Sequence, residues 1–507
     1  MISKRGDHLP PKVKTMTTQP LVPYAINGDQ YINGTWRAGR SARRLDDRNP
    51  FNGEQLLEMP LASIADLDDA YQAAQQAQAA WAQLHPTQRS AQLEKLAQVI
   101  QNRREEIIDW LIDESGSTRI KASMEWQFTL NLVRECTTMP MQVEGRILTS
   151  YKPGEQSFVF REPLGVVGVI SPWNFPLYLS MRSVVPALAL GNTIVLKPAS
   201  DTAVTGGLLI AHLFEEAGFP DGSINVVVGA GSEIGDAFVE HPVPSLISFT
   251  GSTDVGRNVG RIATGGKHIK RVALELGGNA PLVVLDDADI EVAAHAAVVG
   301  RFLHQGQICM SVNRVIVDRS LYADFASLVV ERVRNLKTGD PTKADTVIGP
   351  VVNQSQLDGL LRKLDGARSA GLKQLCGGPA SGLVLPAHVF GEVAADQELA
   401  RDETFGPLLP LLVAENETHA LALANASEYG LSSAVFTRDM ARGLNFARGI
   451  VAGMTHINDI TVDDQPNAPF GGEKNSGLGR FNGHYALDEF TRAHWVTWQP
   501  GGHHYPF

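Results

Sequence analysis

From Gly165 onward the chain alternates continuous apolar, β-branched runs with helix-forming runs, and few folds accommodate that pattern. Segments 166–170, 193–196, 224–228, 245–249 and 272–276 read as strands, and 203–217 and 232–241 between them read as helices. Strands that are apolar at every position, not at alternate ones, are buried on both faces, which implies a parallel sheet covered by helices on each side. A second series follows: strand 281–285, a helix from 290 to about 304, strand 312–317 and helix 321–336. A chain of 507 residues is too long for one ordinary core. The expected fold is therefore α/β, with two parallel-sheet α/β domains.

The remaining segments are peripheral to these sheets. Residues 31–50 read as short strands with turns, and 67–114 as helix broken near Pro86. Segments 147–162 and 489–498 read as edge strands pairing outside the main cores. Met1 to Pro23 is basic and proline-containing but lacks an apolar central region, so it is not a signal peptide. Met16 is a candidate start, and residues 1–22 are expected to be a disordered tail. No apolar run approaches the roughly 18 residues needed to span a bilayer. The formal net charge of −11, with no basic patch, argues against a nucleic-acid partner. The three cysteines, Cys136, Cys309 and Cys376, lack CxxC spacing, so neither a zinc knuckle nor a disulfide framework is indicated. A reducing, cytoplasmic setting fits.

Several strand ends carry chemistry-bearing residues. In residues 170–176, Ile-Ser-Pro-Trp-Asn-Phe-Pro, two prolines fix the backbone around Asn174 at a strand C-terminal end, the usual ligand edge of an open α/β sheet. An amide there can donate to a developing oxyanion; it also reads as a plain turn asparagine. Lys197 follows an apolar run and precedes a strand-stopping proline. Phe249-Thr-Gly251-Ser252 leads from a strand into a helix whose free amides suit a phosphate, although no G-x-G-x-x-G fingerprint follows a strand here. Glu275 ends an apolar strand, where burial makes a carboxylate a usable base or an ion-pair partner. Cys309 follows a Gly-containing turn and reads as nucleophile or as a small buried hydrophobe. Glu403-Thr-Phe405-Gly-Pro and Pro-Phe-Gly-Gly472 are two further turns carrying aromatics.

In order and spacing, these motifs resemble the aldehyde dehydrogenase superfamily from about Tyr31 to Trp498. The resemblance implies Cys309 as nucleophile, Glu275 as general base and Asn174 as oxyanion donor, with no metal. It implies a dinucleotide held by Ser171, Trp173, Lys197, Ser200, Gly231, Phe249, Gly251, Ser252, Leu276, Glu403 and Phe405. Lys197 and Glu403 would hold ribose hydroxyls, Phe405 would pack at the nicotinamide, and Ser252 with its helix would meet the pyrophosphate. The implied domains are a dinucleotide-binding domain of residues 23–146 and 163–277 and a catalytic domain of 278–456. Strands in 147–162 and 485–507 would form a small hairpin joining a homodimer or homotetramer.

Ser200 stands where NAD-preferring relatives commonly carry Glu, so the repulsion of a 2′-phosphate is absent unless Asp201 restores it, and NAD or NADP is expected. Tyr178 and Arg182 lie four and eight residues past Asn174 and are expected on one helix face lining the substrate entrance, with Ile308 and Met310 flanking the cysteine. Arg182 reads either as a partner for a substrate oxygen or as half of an internal salt bridge. Residues 455–462 around Asn458, 180–183 and 479–481 resemble the benzaldehyde, vanillin and salicylaldehyde dehydrogenases, pointing to an aromatic aldehyde. The alternatives are an aliphatic semialdehyde dehydrogenase, a non-catalytic relative, a thiol hydrolase pairing Cys309 with His304, and an acylating, coenzyme-A-dependent member. Presence of all three catalytic positions argues against a non-catalytic relative, and Glu275 favours water over coenzyme A.

Overall fold

The computed structural model describes residues 21–502 and 505–507. The tail expected over 1–22 therefore falls almost wholly outside the described residues. Two large sheets organise the rest. The first has eight strands in the order Thr35–Arg37, Gln30–Ile32, Ile224–Val226, Thr193–Lys197, Val166–Ile170, Leu246–Thr250, Arg271–Glu275, Gly477–Leu478. Its five central strands are parallel, and its outer strands pair antiparallel at both edges. The sheet is thus mixed, not purely parallel as the apolar runs alone imply. Its flanking strands are too short to register as apolar runs.

The second sheet runs Lys373–Cys376, His388–Gly391, Leu408–Ala414, Val312–Asp318, Ala280–Val284, Ala434–Phe436, His456–Ile457. Only its first pair is antiparallel. Both sheets are buried on both faces. In the first, Val167, Val169, Ile194 and Leu196 face one apolar cluster while Val166, Val195, Ile247 and Leu274 face another. In the second, Leu282, Val284, Val315 and Val317 face one side, and Val283, Ile316, Leu412 and Val435 the other. Alternate residues pointing to opposite covered faces is what continuous apolar strands require.

The helical region divides further than Pro86 alone predicts. The helices are Ile64–Gln83, Pro86–Asn102, Arg104–Ser115 and Arg119–Cys136. The third ends at Gly116, whose φ of 66° suits a left-handed cap. Segment 203–217 begins with a wide turn over Val204–Leu208 before its α-helix Leu209–Ala217. There the buried Glu114 carboxylate accepts from the Val204 and Thr205 amides at 2.6 and 2.7 Å. Segment 147–162 is a hairpin of two strands, Arg146–Leu148 and Gln156–Pro163, and not one edge strand. Gln156–Pro163 pairs on its other side with Thr491–Trp498. Residues 489 and 490 belong instead to the helix Gly483–Phe490. Among the described residues, no helix is long and apolar enough to cross a membrane.

Candidate active site

Register across the first sheet sets the site. Lys197 pairs with Ile170, Ile170 with Phe249, and Glu275 with Thr250. Three candidate positions, Lys197, Phe249 and Glu275, therefore stand along one C-terminal edge. The chain leaves Ile170 through Ser171, whose amide donates to the Lys197 carbonyl at 3.1 Å and whose hydroxyl accepts from Ser180 at 2.7 Å. It re-enters helix at Pro176–Ala189. Asn174 precedes that helix, so it does not share a helical face with Tyr178 and Arg182 as four-residue spacing predicts. All three nevertheless line one pocket with Phe128, Phe175, Leu303, Ile308, Cys309, Met310 and Phe470. The turn fixed by the prolines brings Asn174 there. Its side-chain Nδ2 donates to the Gln307 carbonyl at 2.9 Å.

Cys309 is presented by an unusual backbone. After the helix Ile290–Phe302, His304, Gln305 and Gly306 take φ of 49°, 57° and 73°. Left-handed non-glycine residues cost of order 1–3 kcal/mol and persist only when held. Gln305 supplies part of the hold, donating through Nε2 to the Pro350 and Gly116 carbonyls at 2.6 and 3.1 Å. Gln307 accepts from the Val352 amide at 3.1 Å. A Cβ on Gly306 would lie 2.3 Å from the Gly406 carbonyl oxygen, and one on Gly278 2.1 Å from that of Cys309. Both glycines are therefore required by close approach. Although Cys309 opens partly into the pocket, burial and then the nearby Glu275 push its thiol up to about 12. Glu275 is 1% exposed, and among the described residues neither of its carboxylate oxygens has a hydrogen-bond partner. Burial pushes it up to about 8, against the pull of Arg182.

The same edge offers a groove of dinucleotide chemistry. Lys197 is buried, and among the described residues its ammonium donates only to the Pro198 carbonyl, at a long 3.4 Å. Burial pushes it down to about 8. An ammonium so placed is short of acceptors, as a ribose-binding group should be before its ligand arrives. Glu403 accepts from the Gly278 amide at 2.8 Å and is pushed by burial up to about 7. Phe405 packs edge-on against Trp173, with centroids 5.3 Å apart, joining a loop of the second sheet to one of the first. Ser252 precedes the helix Thr253–Gly265 without a side-chain cap, leaving first-turn amides for a phosphate. Gly231 has open space around it, whereas Phe249 and Leu276 are buried, Leu276 beneath Gly256. Ser200 borders a neighbouring groove with Asp201. Asp201 is engaged by Asn353, whose Nδ2 donates to it at 2.8 Å.

Arg182 is 1% exposed and pairs with Asp464 at 3.3 Å, its guanidinium 4.0 Å over Phe470. The internal salt bridge is thus present, at the wall of the pocket. Sequence reading missed Asp464, and also Arg301, which donates to Thr404 and to the Gly406 carbonyl and so holds the Glu403–Phe405 loop. It missed Lys121 and Glu125 beneath Asn174. Apart from the Lys121–Glu125 pair itself, one helical turn apart, their contacts to the site segments cross tens to hundreds of residues of chain, which no spacing rule reveals. His304 is buried edge-on to Phe175, and among the described residues neither ring nitrogen makes a hydrogen bond of good geometry, though the Asn174 backbone lies near enough to act on it. Burial, then the Lys121 charge, keeps it neutral.

The sequence profile of the aldehyde dehydrogenase family matches residues 36–496. The chain is 55% identical to a vanillin dehydrogenase of Corynebacterium glutamicum over 92% of its own length and 96% of the relative's. It is similar to the crystal structure of an NAD-dependent benzaldehyde dehydrogenase from the same organism. That match has 51% identity and a TM-score of 0.88, covering 94% of this chain and 98% of that one. A salicylaldehyde dehydrogenase of Pseudomonas putida G7, solved with salicylaldehyde, matches at 36% identity and a TM-score of 0.91, covering 94% and 99%.

Proposed function

The chain belongs to the aldehyde dehydrogenase family and oxidises aldehydes, and we propose that its substrates are aromatic aldehydes, converted to acids at Cys309. The observation that carries this reading is the meeting of Cys309 and the Asn174 amide in a pocket walled by Phe128, Phe175, Tyr178 and Phe470. A flat ring fills such a pocket with little entropy loss, and its burial contributes roughly 1.5–3 kcal/mol. The names of the relatives point the same way.

The Cys309 thiol gives its proton to solvent, the thiolate sulfur bonds to the aldehyde carbon, and the C=O π pair moves to the oxygen, which becomes an oxyanion. Asn174 Nδ2, with one hydrogen on Gln307, directs the other to that oxygen; such a donor contributes about 10²–10³ in rate. When bound, NAD or NADP supplies the two-electron acceptor for the aldehyde carbon. Lys197 and Glu403 would hold its ribose hydroxyls, the Thr253–Gly265 N-terminus its pyrophosphate, and Phe405 the nicotinamide face. Cys309 is left as a thioester. Glu275, unpaired and pushed up to about 8, takes a proton from water as that water attacks, releasing the acid and the thiol.

The exposed Ile147, Leu148, Phe160, Trp495 and Trp498 on the three-stranded sheet support pairing with further copies, as a dimer or tetramer. Unpaired cysteines support a cytoplasmic setting. The test compares kcat/KM for benzaldehyde and butanal, with Cys309→Ala as control. Benzaldehyde is expected to lead by ten-fold or more, and the variant to retain dinucleotide binding but no turnover. A lead for butanal would remove the aromatic assignment, and turnover above a few per cent in the variant would remove the nucleophile.

A further inference from the structure

The helix Arg119–Cys136 carries two fully buried charged side chains, Lys121 and Glu125, one turn apart. Their ion pair is 2.5 Å long. Charged residues are almost never fully buried unless their capacity is used, so the use made of each oxygen and hydrogen matters. The Lys121 ammonium also donates to the main-chain carbonyl of Asn174 at 2.6 Å and lies 4.2 Å from the centroid of the Phe175 ring. The other Glu125 oxygen accepts from the Leu177 and Tyr178 amides at 2.9 and 3.1 Å. Those are first-turn amides of the helix Pro176–Ala189, which has no side-chain cap of its own. Glu125 therefore does from a distance what a capping residue does locally.

We propose that Lys121, clamped by Glu125, is a positioning residue for the Asn174 side-chain amide. The proposal rests on Asn174 being the oxyanion donor. Asn174 is gripped at two ends: its carbonyl by Lys121, and its side chain by the Gln307 carbonyl two residues before Cys309. Leu177 and Tyr178, three and four residues further on, are gripped through Glu125. With the main chain fixed on one side of the turn and the helix start fixed on the other, the free hydrogen of Nδ2 has one direction left. An oxyanion donor is worth its full effect only when it is already aimed, and a displacement of about 1 Å costs on the order of 10² in rate. Lys121 itself lines neither pocket nor groove, so its effect on turnover passes through the residues it touches, and its hydrogen bond to the Asn174 carbonyl is the direct route to the donor.

The test is a double-mutant cycle on the full-length enzyme. Lys121→Met/Glu125→Gln removes both charges together, so neither is stranded, and the glutamine oxygen still accepts from Leu177 and Tyr178. Turnover is expected to fall ten-fold or more, with dinucleotide affinity unchanged. In an Asn174→Ala background the same pair of changes is expected to alter turnover less than two-fold, because the amide it aims is gone. Should the double variant not fold, Glu125→Gln alone is read in the same cycle and is expected to lose three-fold or more, again only when Asn174 is present. Wild-type turnover in the folded Lys121 variant, or an equal loss in both backgrounds, overturns the proposal while leaving the donor assignment standing. Wild-type turnover in Asn174→Ala overturns the donor assignment itself, and the proposal with it.

Discussion

Glu275, the proposed base, is expected to be a liability for folding, and Glu275→Gln should expose it. The carboxyl is 1% exposed, without a hydrogen-bond partner, and pushed by burial from an ordinary 4.5 up to about 8. Below pH 4.5 both folded and unfolded chains carry it protonated. As pH rises from 4.5 towards 8 the unfolded chain ionises it and the folded chain does not, so stability is lost across that window. The loss runs at about 1.36 kcal/mol per pH unit. At pH 7 the window already crossed is about 2.5 pH units, or roughly 3 kcal/mol, and at pH 5 under about 1 kcal/mol. While the folded value stays above the working pH, the size depends only on pH and the unfolded value. Glutamine has the shape of the protonated acid and nothing to ionise, so it escapes the loss.

The assay is urea unfolding of wild type and Glu275→Gln without dinucleotide, at one protein concentration, at pH 5 and pH 7. The variant should be more stable at both, by under about 1 kcal/mol at pH 5 and roughly 3 kcal/mol at pH 7. A gap that is the same at the two values would mean that Glu275 is ionised in the folded protein across this range, and the argument from burial would fall with it.

The same group predicts that turnover limited by thioester hydrolysis rises about ten-fold between pH 7 and 9, as the carboxylate fraction grows from about one in ten to nine in ten; a flat profile across that range rules Glu275 out as the base. Arg182→Leu strands Asp464, which is paired at 3.3 Å inside the protein, and should cost about 3–5 kcal/mol in urea unfolding. Arg182→Leu/Asp464→Asn should recover most of it, and equal losses in the two would show that the pair does not matter. Ser200→Glu should lower the NADP-to-NAD ratio of kcat/KM about ten-fold, the effect of a like-charge pair costing at least about 1–2 kcal/mol; an unchanged ratio removes Ser200 as the determinant.

What could be read from the sequence follows from what makes sequence signals strong. The central strands of the first sheet lie within about two residues of their expected places, because a strand buried on both faces leaves an unbroken apolar run. Ala434–Phe436, His456–Ile457 and Gly477–Leu478 carry too few residues to show any period. Leu408–Ala414 is long and apolar, but Pro410 interrupts it, and proline inside a run argues against a central strand. At the site, Asn174, Glu275 and Cys309 were legible as motif residues. The common helical face for Asn174, Tyr178 and Arg182 was not correct, because Pro176 starts the helix after Asn174. Lys121, Glu125 and Arg301 hold the catalytic segments through contacts across tens of residues. Their sequence surroundings look like those of any helical lysine, glutamate or arginine.

Arg182 brings the two readings of one residue together. Its pairing with Asp464 makes the salt-bridge reading true, yet the contact is a single 3.3 Å one, and Nε has no partner. Burial disfavours the charge, but Glu275 and Asp464 outweigh it and hold the guanidinium above its ordinary value, so it is always cationic. The first groups to feel that cation are the enzyme's own acids. It pulls down both Glu275 and Cys309 against the burial that raises them, easing formation of the thiolate and of the carboxylate base. A ring oxygen on a substrate then meets an arginine already shared among three acids, where it gains less than from a free one. Beside it, the Tyr178 hydroxyl lies within electrostatic reach of Asp464 but makes no hydrogen bond of good geometry. A buried hydroxyl left unsatisfied is costly, so a ring oxygen reaching Tyr178 gains more than one reaching Arg182. Selectivity among substituted benzaldehydes is therefore expected to rest first on the tyrosine, and the arginine to serve the chemistry common to all of them.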